Sequence, residues 1–302
     1  MIVLVTGANG QLGQSLQFVA EKFPKIDFIF YNSSELDITN LDQIKKVFEV
    51  CKPIFCINAA AYTAVDNAES EPEKAFAINV TGSKNLAEVC KKNNTTLFHI
   101  STDFIFDGTS QTPYKETDIP NPTGVYGQTK LDGEKAIQAI WAKYIIIRTS
   151  WVYSQFGNNF MKTMLRLASE RESLSVLDDQ IGTPTNAVDL AEALVSIICH
   201  MELTQNPVEA QTVSSNFQLP TSNLFGIYNF SNLGQCSWYD FAKEIFKIHN
   251  VIIDLKPITT ASFPTPAQRP KFSVLDKSKI IDIFQIDIKS WEESLKTVIF
   301  LL

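Results

Sequence analysis

Apolar residues recur along the first half of the chain in a repeating two-part rhythm. Ile2 to Thr6 is an apolar run of strand length. Leu12, Leu16 and Val19 follow at helical spacing. The rhythm repeats: Phe28–Tyr31 reads as a strand, Leu41–Cys51 as a helix and Phe55–Asn58 as a strand. A helix is expected from Pro72, a residue suited to a first helical turn, to about Lys92. Thr96–Ser101 then reads as a strand. A Gly-, Pro-, Thr- and Asp-rich loop runs from Asp107 to Thr123, a helix reaches about Lys143, and Tyr144–Arg148 is a fifth strand. Strands alternating with helices over 150 residues predict an α/β fold, a parallel sheet covered by helices on both faces.

After Thr149 the rhythm changes. Phe160–Ala168 and Asn186–His200 read as helices, and the polar stretch Thr204–Ser222 as a surface loop. Gly226–Phe230 reads as a short strand added to the main sheet. Ser237 is suited to cap a helix that carries Phe241, Ile245 and Ile248 on one face. Pro264, Pro266 and Pro270 surround Arg269 in a segment that cannot be helical. A last helix is expected over Asp287–Phe300. There is no internal repeat.

Composition narrows the classes. With 302 residues, 45% hydrophobic, the chain can bury a large core, enough for one big or two modest domains. The net charge of −7, without a long basic run, argues against nucleic acid as a partner. No apolar run approaches the ~18 residues of a membrane span. The first five residues lack the basic leader of a signal peptide, so a cytoplasmic location is expected. Five scattered cysteines and three distant histidines offer neither a disulfide framework nor metal-ligand spacing. No metal site is expected from them.

Three stretches carry candidate chemistry. Gly7-Ala-Asn-Gly10-Gln11-Leu12-Gly13 joins a strand to a helix. Its glycines allow close backbone approach, and the helix N-terminus offers free N–H groups to a pyrophosphate. Ser101-Thr102-Asp103 ends the fourth strand. A threonine at a strand end often caps the following turn, and Thr102 can be read so. Tyr126 and Lys130 lie four residues apart, on one helix face. A phenol with a pKa near ~10 is a poor proton donor at neutral pH, and a nearby ammonium would lower it. The end of the second strand, Asn32-Ser33-Ser34, has no acid to repel the extra phosphate of NADP and no arginine to hold it.

These stretches resemble the extended short-chain dehydrogenase/reductase superfamily. Residues 58–69, 101–108, 126–134, 148–153 and 157–160 resemble more closely, within it, the dTDP-4-dehydrorhamnose reductases. The resemblance extends to Arg269-Pro270 and so covers nearly the whole chain. It implies a Rossmann-type doubly wound sheet with a smaller C-terminal α/β substrate-binding domain. Residues 1–150 would bind NAD(P), with segments in about 186–232 returning to that domain, and 151–302 would mainly bind substrate.

The implied reaction is reduction of the C4 carbonyl of a dTDP-sugar by NADPH or NADH. Thr102, Tyr126 and Lys130 would be catalytic. The resemblance assigns Gly7, Gly10, Gln11, Leu12 and Gly13 to the pyrophosphate loop, and Asp37 and Ile38 to the adenine region. Ala61, Tyr62 and Thr63 go to the nicotinamide half, with Tyr126 and Lys130. It assigns the sugar nucleotide to Thr102, Asp103, Tyr126, Trp151, Asn159 and Arg269. Asp37 reads equally well as a turn residue, Trp151 as core and Arg269 as an ordinary surface arginine. Some members of the family resemble metal-linked homodimers, using acidic side chains near the C-terminus and at the first helix. Ser15 stands at that position here, so Mg2+ and that mode of dimerisation depart from the pattern. Two other readings share the fold: a nucleotide-sugar epimerase and a non-catalytic dinucleotide-binding regulatory subunit. A 4,6-dehydratase would need Glu after Thr-Asp, where Phe104 stands.

Overall fold

A computed structural model describes residues 1–205 and 224–299. Five strands form in the first half: β1 (Ile2–Thr6), β2 (Asp27–Tyr31), β3 (Phe55–Asn58), β4 (Thr96–Thr102) and β5 (Tyr144–Thr149). Helices α1 (Gln11–Ala20) and α2 (Leu41–Cys51) connect the first three strands. The short helices α3 (Val65–Ala68) and α4 (Pro72–Phe76) follow β3. A π-helical segment (Ala77–Gly82) then leads into α5 (Ser83–Asn93), and α6 (Val125–Ile140) joins β4 to β5.

The second half has β6 (Val152–Tyr153), α7 (Phe160–Glu170), β7 (Ser173–Leu177), β8 (Ile181–Gly182), β9 (Thr185–Asn186) and α8 (Ala187–Gln205). After it come β10 (Gly226–Asn229), β11 (Cys236–Ser237), α9 (Trp238–Ile248), β12 (Asp254–Ile258), α10 (Ser278–Phe284) and α11 (Trp291–Ile299).

The main sheet has six strands in the order β10-β5-β4-β3-β1-β2, all parallel. β10 joins beside β5, as the strand expected at Gly226–Phe230. Val3 and Val5 face one side of β1 with Leu12, Leu16 and Val19 of α1 and the apolar face of α8. Leu4 faces the other side, with α2 and α5. Alternating strand residues thus feed two helical layers. A third core gathers Tyr153, Met161, Phe241, Ile245 and Trp291 under the second half.

Three expectations need correction. The helix from Pro72 is not continuous: α4 and α5 are separated by the π segment. There Asn79 donates to the Tyr62 carbonyl and to Thr129, and accepts from the Tyr62 N–H. Those side-chain bonds hold an insertion that periodicity does not reveal. The last helix, expected over Asp287–Phe300, begins only at Trp291 as α11, and α10 before it is a helix the sequence reading did not include. The loop expected at Thr204–Ser222 begins with the end of α8 and otherwise lies outside the described residues, as does Phe300. No helix among the described residues is long and apolar enough to cross a membrane.

Candidate active site

The carboxyl ends of the parallel strands open on a cavity of about 690 Å³. In an open α/β sheet this is where ligands bind. One wall is backbone and small side chains. Gly10, Gln11 and Leu12 line it at the start of α1, with Ala59, Ala61 and Thr63 after β3. Gly7 stands behind them with φ +72°, and a Cβ there would lie 2.6 Å from the Ala60 nitrogen. Gly13 supports the same loop: its Cβ would lie 2.3 Å from the Gly7 carbonyl oxygen. Gly10 precedes α1 without a side-chain cap, and the first turn carries no acid. The helix therefore presents uncapped N–H groups and its positive end to the cavity, which suits a dinucleotide's diphosphate.

The opposite wall is aromatic and charged. Trp151 adopts a left-handed backbone, φ 47°. Its indole lies on Gly182, where a Cβ would be 2.6 Å from the ring. The other face stacks on Trp238, with centroids 3.6 Å apart and planes 10° from parallel. Trp238 opens α9, which Ser237 and Asp240 cap reciprocally. Arg269 also lines the cavity. Its guanidinium grips Asp66 with both forks, Nη1 to Oδ1 at 3.0 Å and Nη2 to Oδ2 at 2.6 Å. That grip holds the Asp66 carboxyl below the usual carboxylate range.

Between the walls lie Thr102, Asp103, Tyr126 and Lys130. Tyr126 sits in the first turn of α6, which Glu69 anchors by accepting the Val125 N–H at 2.9 Å. The Phe104 ring meets the phenol edge-on, centroids 5.5 Å apart. Burial pushes the Tyr126 phenol up to about 12; the Thr102 hydroxyl opposes the rise and Asp103 adds to it. Thr102 donates to Asp103 Oδ1 at 3.0 Å and accepts from the Phe104 N–H. Asp103 is 1% exposed, and burial lifts its carboxyl to about 6.

The Lys130 amine is turned to β4. It donates to the Ile100 carbonyl at 2.6 Å and lies 3.4 Å from His99 Nε2. Burial brings it down to about 8, against the pull of Glu134. The expected lowering of the Tyr126 pKa by Lys130 is not met. Desolvation governs the phenol, and the lysine is occupied by the strand.

The remaining candidates lie off the cavity. Asp37 accepts from the Thr39 N–H and hydroxyl, the turn role it shares with many aspartates. Ile38 is buried against Gly82. Tyr62 is buried, with its hydroxyl donating to Glu71 at 2.7 Å. Asn159 caps α7 and donates to Gln11 Oε1 at 3.0 Å, so it stands behind the loop. Ser15, at the position where the metal-linked pattern would need a carboxylate, is buried and donates to the Gln11 carbonyl. A hydroxyl spent this way does not suit magnesium, which takes carboxylate ligands. Sequence reasoning missed Trp238, Asp66 and His99. The Ser237 cap was the one available signal for Trp238, since it fixes the first residue of α9.

A family model described as the RmlD substrate binding domain matches residues 1–301. The dTDP-4-dehydrorhamnose reductase of Aggregatibacter actinomycetemcomitans is 41% identical over 302 residues, covering 98% of this chain and 97% of its own. Two solved structures are similar at a TM-score of 0.89, each covering 100% of this chain and 99% of the other. One is a dTDP-4-dehydrorhamnose reductase from Clostridium acetobutylicum, 40% identical. The other, from Bacillus anthracis, is 37% identical and in complex with NADP. With a Rossmann-type sheet, a glycine loop and a Tyr–Lys helix meeting at one cavity, the chain belongs to the dTDP-4-dehydrorhamnose reductase (RmlD) family of the extended short-chain dehydrogenases/reductases.

Proposed function

We propose that this protein reduces the C4 carbonyl of dTDP-4-dehydro-L-rhamnose to give dTDP-L-rhamnose, the final step of dTDP-rhamnose synthesis, using a reduced nicotinamide cofactor. The observation that carries the reading is the meeting of Thr102 and Tyr126 in one cavity with the uncapped start of α1. The B. anthracis relative in complex with NADP supports NADPH as the cofactor.

When bound, the cofactor supplies the hydride, and binding, orientation and proton supply fall to the chain. Residues 1–150, with later segments such as β10, hold the dinucleotide, and residues 151–302 mainly hold the sugar nucleotide. Gly10, Gln11 and Leu12 cradle the diphosphate at the start of α1. Ala61 and Thr63 wall the nicotinamide half. Tyr126 gives its hydroxyl proton to the C4 oxygen. A phenol near 12 holds that proton in the ground state and yields it to the more basic alkoxide as charge develops. Thr102 donates to the same oxygen once its proton leaves Asp103. Both donors are held by protein before the charge appears, which is when such groups stabilise most. Trp151 and Trp238 shape the sugar side, and Arg269, its terminal nitrogens held by Asp66, offers its positive charge and its Nε–H to the substrate diphosphate.

NADPH and NADH oxidation with dTDP-4-dehydro-L-rhamnose tests the reading. Turnover is expected, and Tyr126→Phe should lower kcat by about a thousandfold while leaving cofactor affinity nearly unchanged. Absence of oxidation above background with either cofactor would sink it. A regulatory subunit would be indifferent to Tyr126→Phe, and an epimerase would turn over without net cofactor consumption.

A further inference from the structure

A buried chain of hydrogen bonds runs beneath Lys130, and none of the roles assigned above uses it. Thr6 donates to Asn58 Oδ1 at 2.7 Å. The Ala60 backbone N–H donates to the same oxygen at 3.2 Å. Asn58 Nδ2 lies 3.1 Å from His99 Nδ1, and His99 Nε2 lies 3.4 Å from Lys130 Nζ. Thr6, Asn58, His99 and Lys130 are each at most 2% exposed.

The chain has one direction. A backbone N–H can only donate, so the Asn58 atom facing Ala60 must be the amide oxygen. The amide nitrogen therefore faces His99 and donates to Nδ1. Nδ1 must accept, so it carries no proton. The ring is neutral and its single N–H is on Nε2, aimed at Lys130. Burial and the nearby lysine both hold His99 well below its usual pKa, in keeping with this assignment.

We propose that His99 is a positioning residue for Lys130: locked as the Nε2–H tautomer by Asn58, it turns a fixed N–H dipole toward Nζ and so disfavours the ammonium. An ammonium at that place sets N–H against N–H, whereas a neutral amine can accept from Nε2. The other groups around Lys130 do not cancel the effect. Glu134, one turn further along α6, is committed to Arg148 of β5 by two bonds, at 3.1 and 2.7 Å. From β4 the lysine meets the Ile100 carbonyl, and Asp103 lies past the end of the strand, held by Thr102. From β3 it meets no charge, because Asn58 is an amide. Tyr126, on its own helix, is held as the neutral phenol. His99 thus adds to the burial that brings Lys130 down to about 8, and the reaction acquires an alkaline limit set within the sheet. That last consequence rests on Lys130 serving the proposed reduction.

Nuclear magnetic resonance of the full-length protein labelled at histidine nitrogen and lysine carbon tests this without substrate. His99 should show a protonated Nε2 and a bare Nδ1 with no titration from pH 6 to 9. Lys130 should titrate near 8. His99→Asn keeps an acceptor for Asn58 and removes the N–H, and should raise the Lys130 midpoint by about one pH unit, a tenfold change in its proton affinity. In activity, kcat/KM should fall about tenfold from pH 7 to 9 in the parent protein and less than about twofold in His99→Asn. If His99→Asn does not fold, Asn58→Asp serves instead. It turns the proton to Nδ1, makes Nε2 the acceptor and should move Lys130 the same way. A proton found on Nδ1 in the parent protein would overturn the proposal. So would a Lys130 midpoint that stays in place in the folded variant. Failure of the assay with the resonances as expected would instead count against the proposed reaction.

Discussion

The two walls of the cavity are made of different material. The wall from β1 and β3 is mainly main chain: Gly10, Ala59 and Ala61 offer N–H groups, carbonyls and methyls, packed against glycines that tolerate no side chain. The facing wall is side chain: two stacked indoles and an arginine, Trp151 and Arg269 from loops and Trp238 from the first turn of α9. The difference separates two tasks. A backbone cradle reads features that every dinucleotide shares, and substitution there attacks the fold. A side-chain wall reads one substrate, and substitution there should change affinity while the fold persists.

Breaking the first wall should have the largest effect. Gly13→Ala places a Cβ 2.3 Å from the Gly7 carbonyl oxygen and 2.7 Å from the Ala8 backbone. Backbone cannot move aside cheaply, so a loss of about 3 kcal/mol is expected, roughly 5–10 °C in Tm for a chain of this size. Thermal unfolding measures it. An unchanged Tm would mean that the loop is not held as rigidly as its contacts imply.

Breaking the second wall should cost less and read differently. Arg269→Ala removes the guanidinium proposed to face the sugar-nucleotide diphosphate and leaves Asp66 without its partner. KM for the dTDP-sugar should rise about thirtyfold, near 2 kcal/mol, with kcat within about twofold. Arg269→Lys should recover little, because an ammonium cannot make the bidentate contact. Steady-state kinetics separates the two constants. A fall in kcat with KM unchanged would move Arg269 from binding to the chemical step.

The walls were also unequally legible. The glycine loop and the Tyr126–Lys130 pair are local signals, set within a few residues of sequence. The sheet was readable because alternating apolar strands and amphipathic helices are long enough to show their period. The facing wall rests on two-residue strands, β6, β8, β9 and β11, whose pairing depends on the folded chain. Trp238 and the Asp66–Arg269 grip come from contacts spanning 203 residues in the second case, which no local window contains. Asn79 sits on the boundary. Its helix was visible, but the π insertion around it depends on Tyr62 and Thr129, which belong to other elements. Ser34 and Asn32 read as leaving the end of β2 without an acid. The fold brings one back: the Asn32 N–H donates to Glu35 Oε2 at 2.9 Å.

That carboxylate gives the finest test of a shared cradle against a selective wall. The end of β2 is where an acid meets the adenine ribose of NAD and repels the extra phosphate of NADP. Glu35 is exposed, so its field is screened by solvent and salt. Glu35→Gln keeps an acceptor for the Asn32 N–H and removes the charge. The KM for NADPH should fall about two- to threefold, below 1 kcal/mol, while that for NADH stays within error. The gain should shrink as ionic strength rises, because screening already weakens the repulsion it relieves. Parallel titrations with both cofactors at low and high salt decide it. If both KM values shift together, Glu35 acts through the turn at Asn32, and the cradle then contains no charge-based choice between the two cofactors.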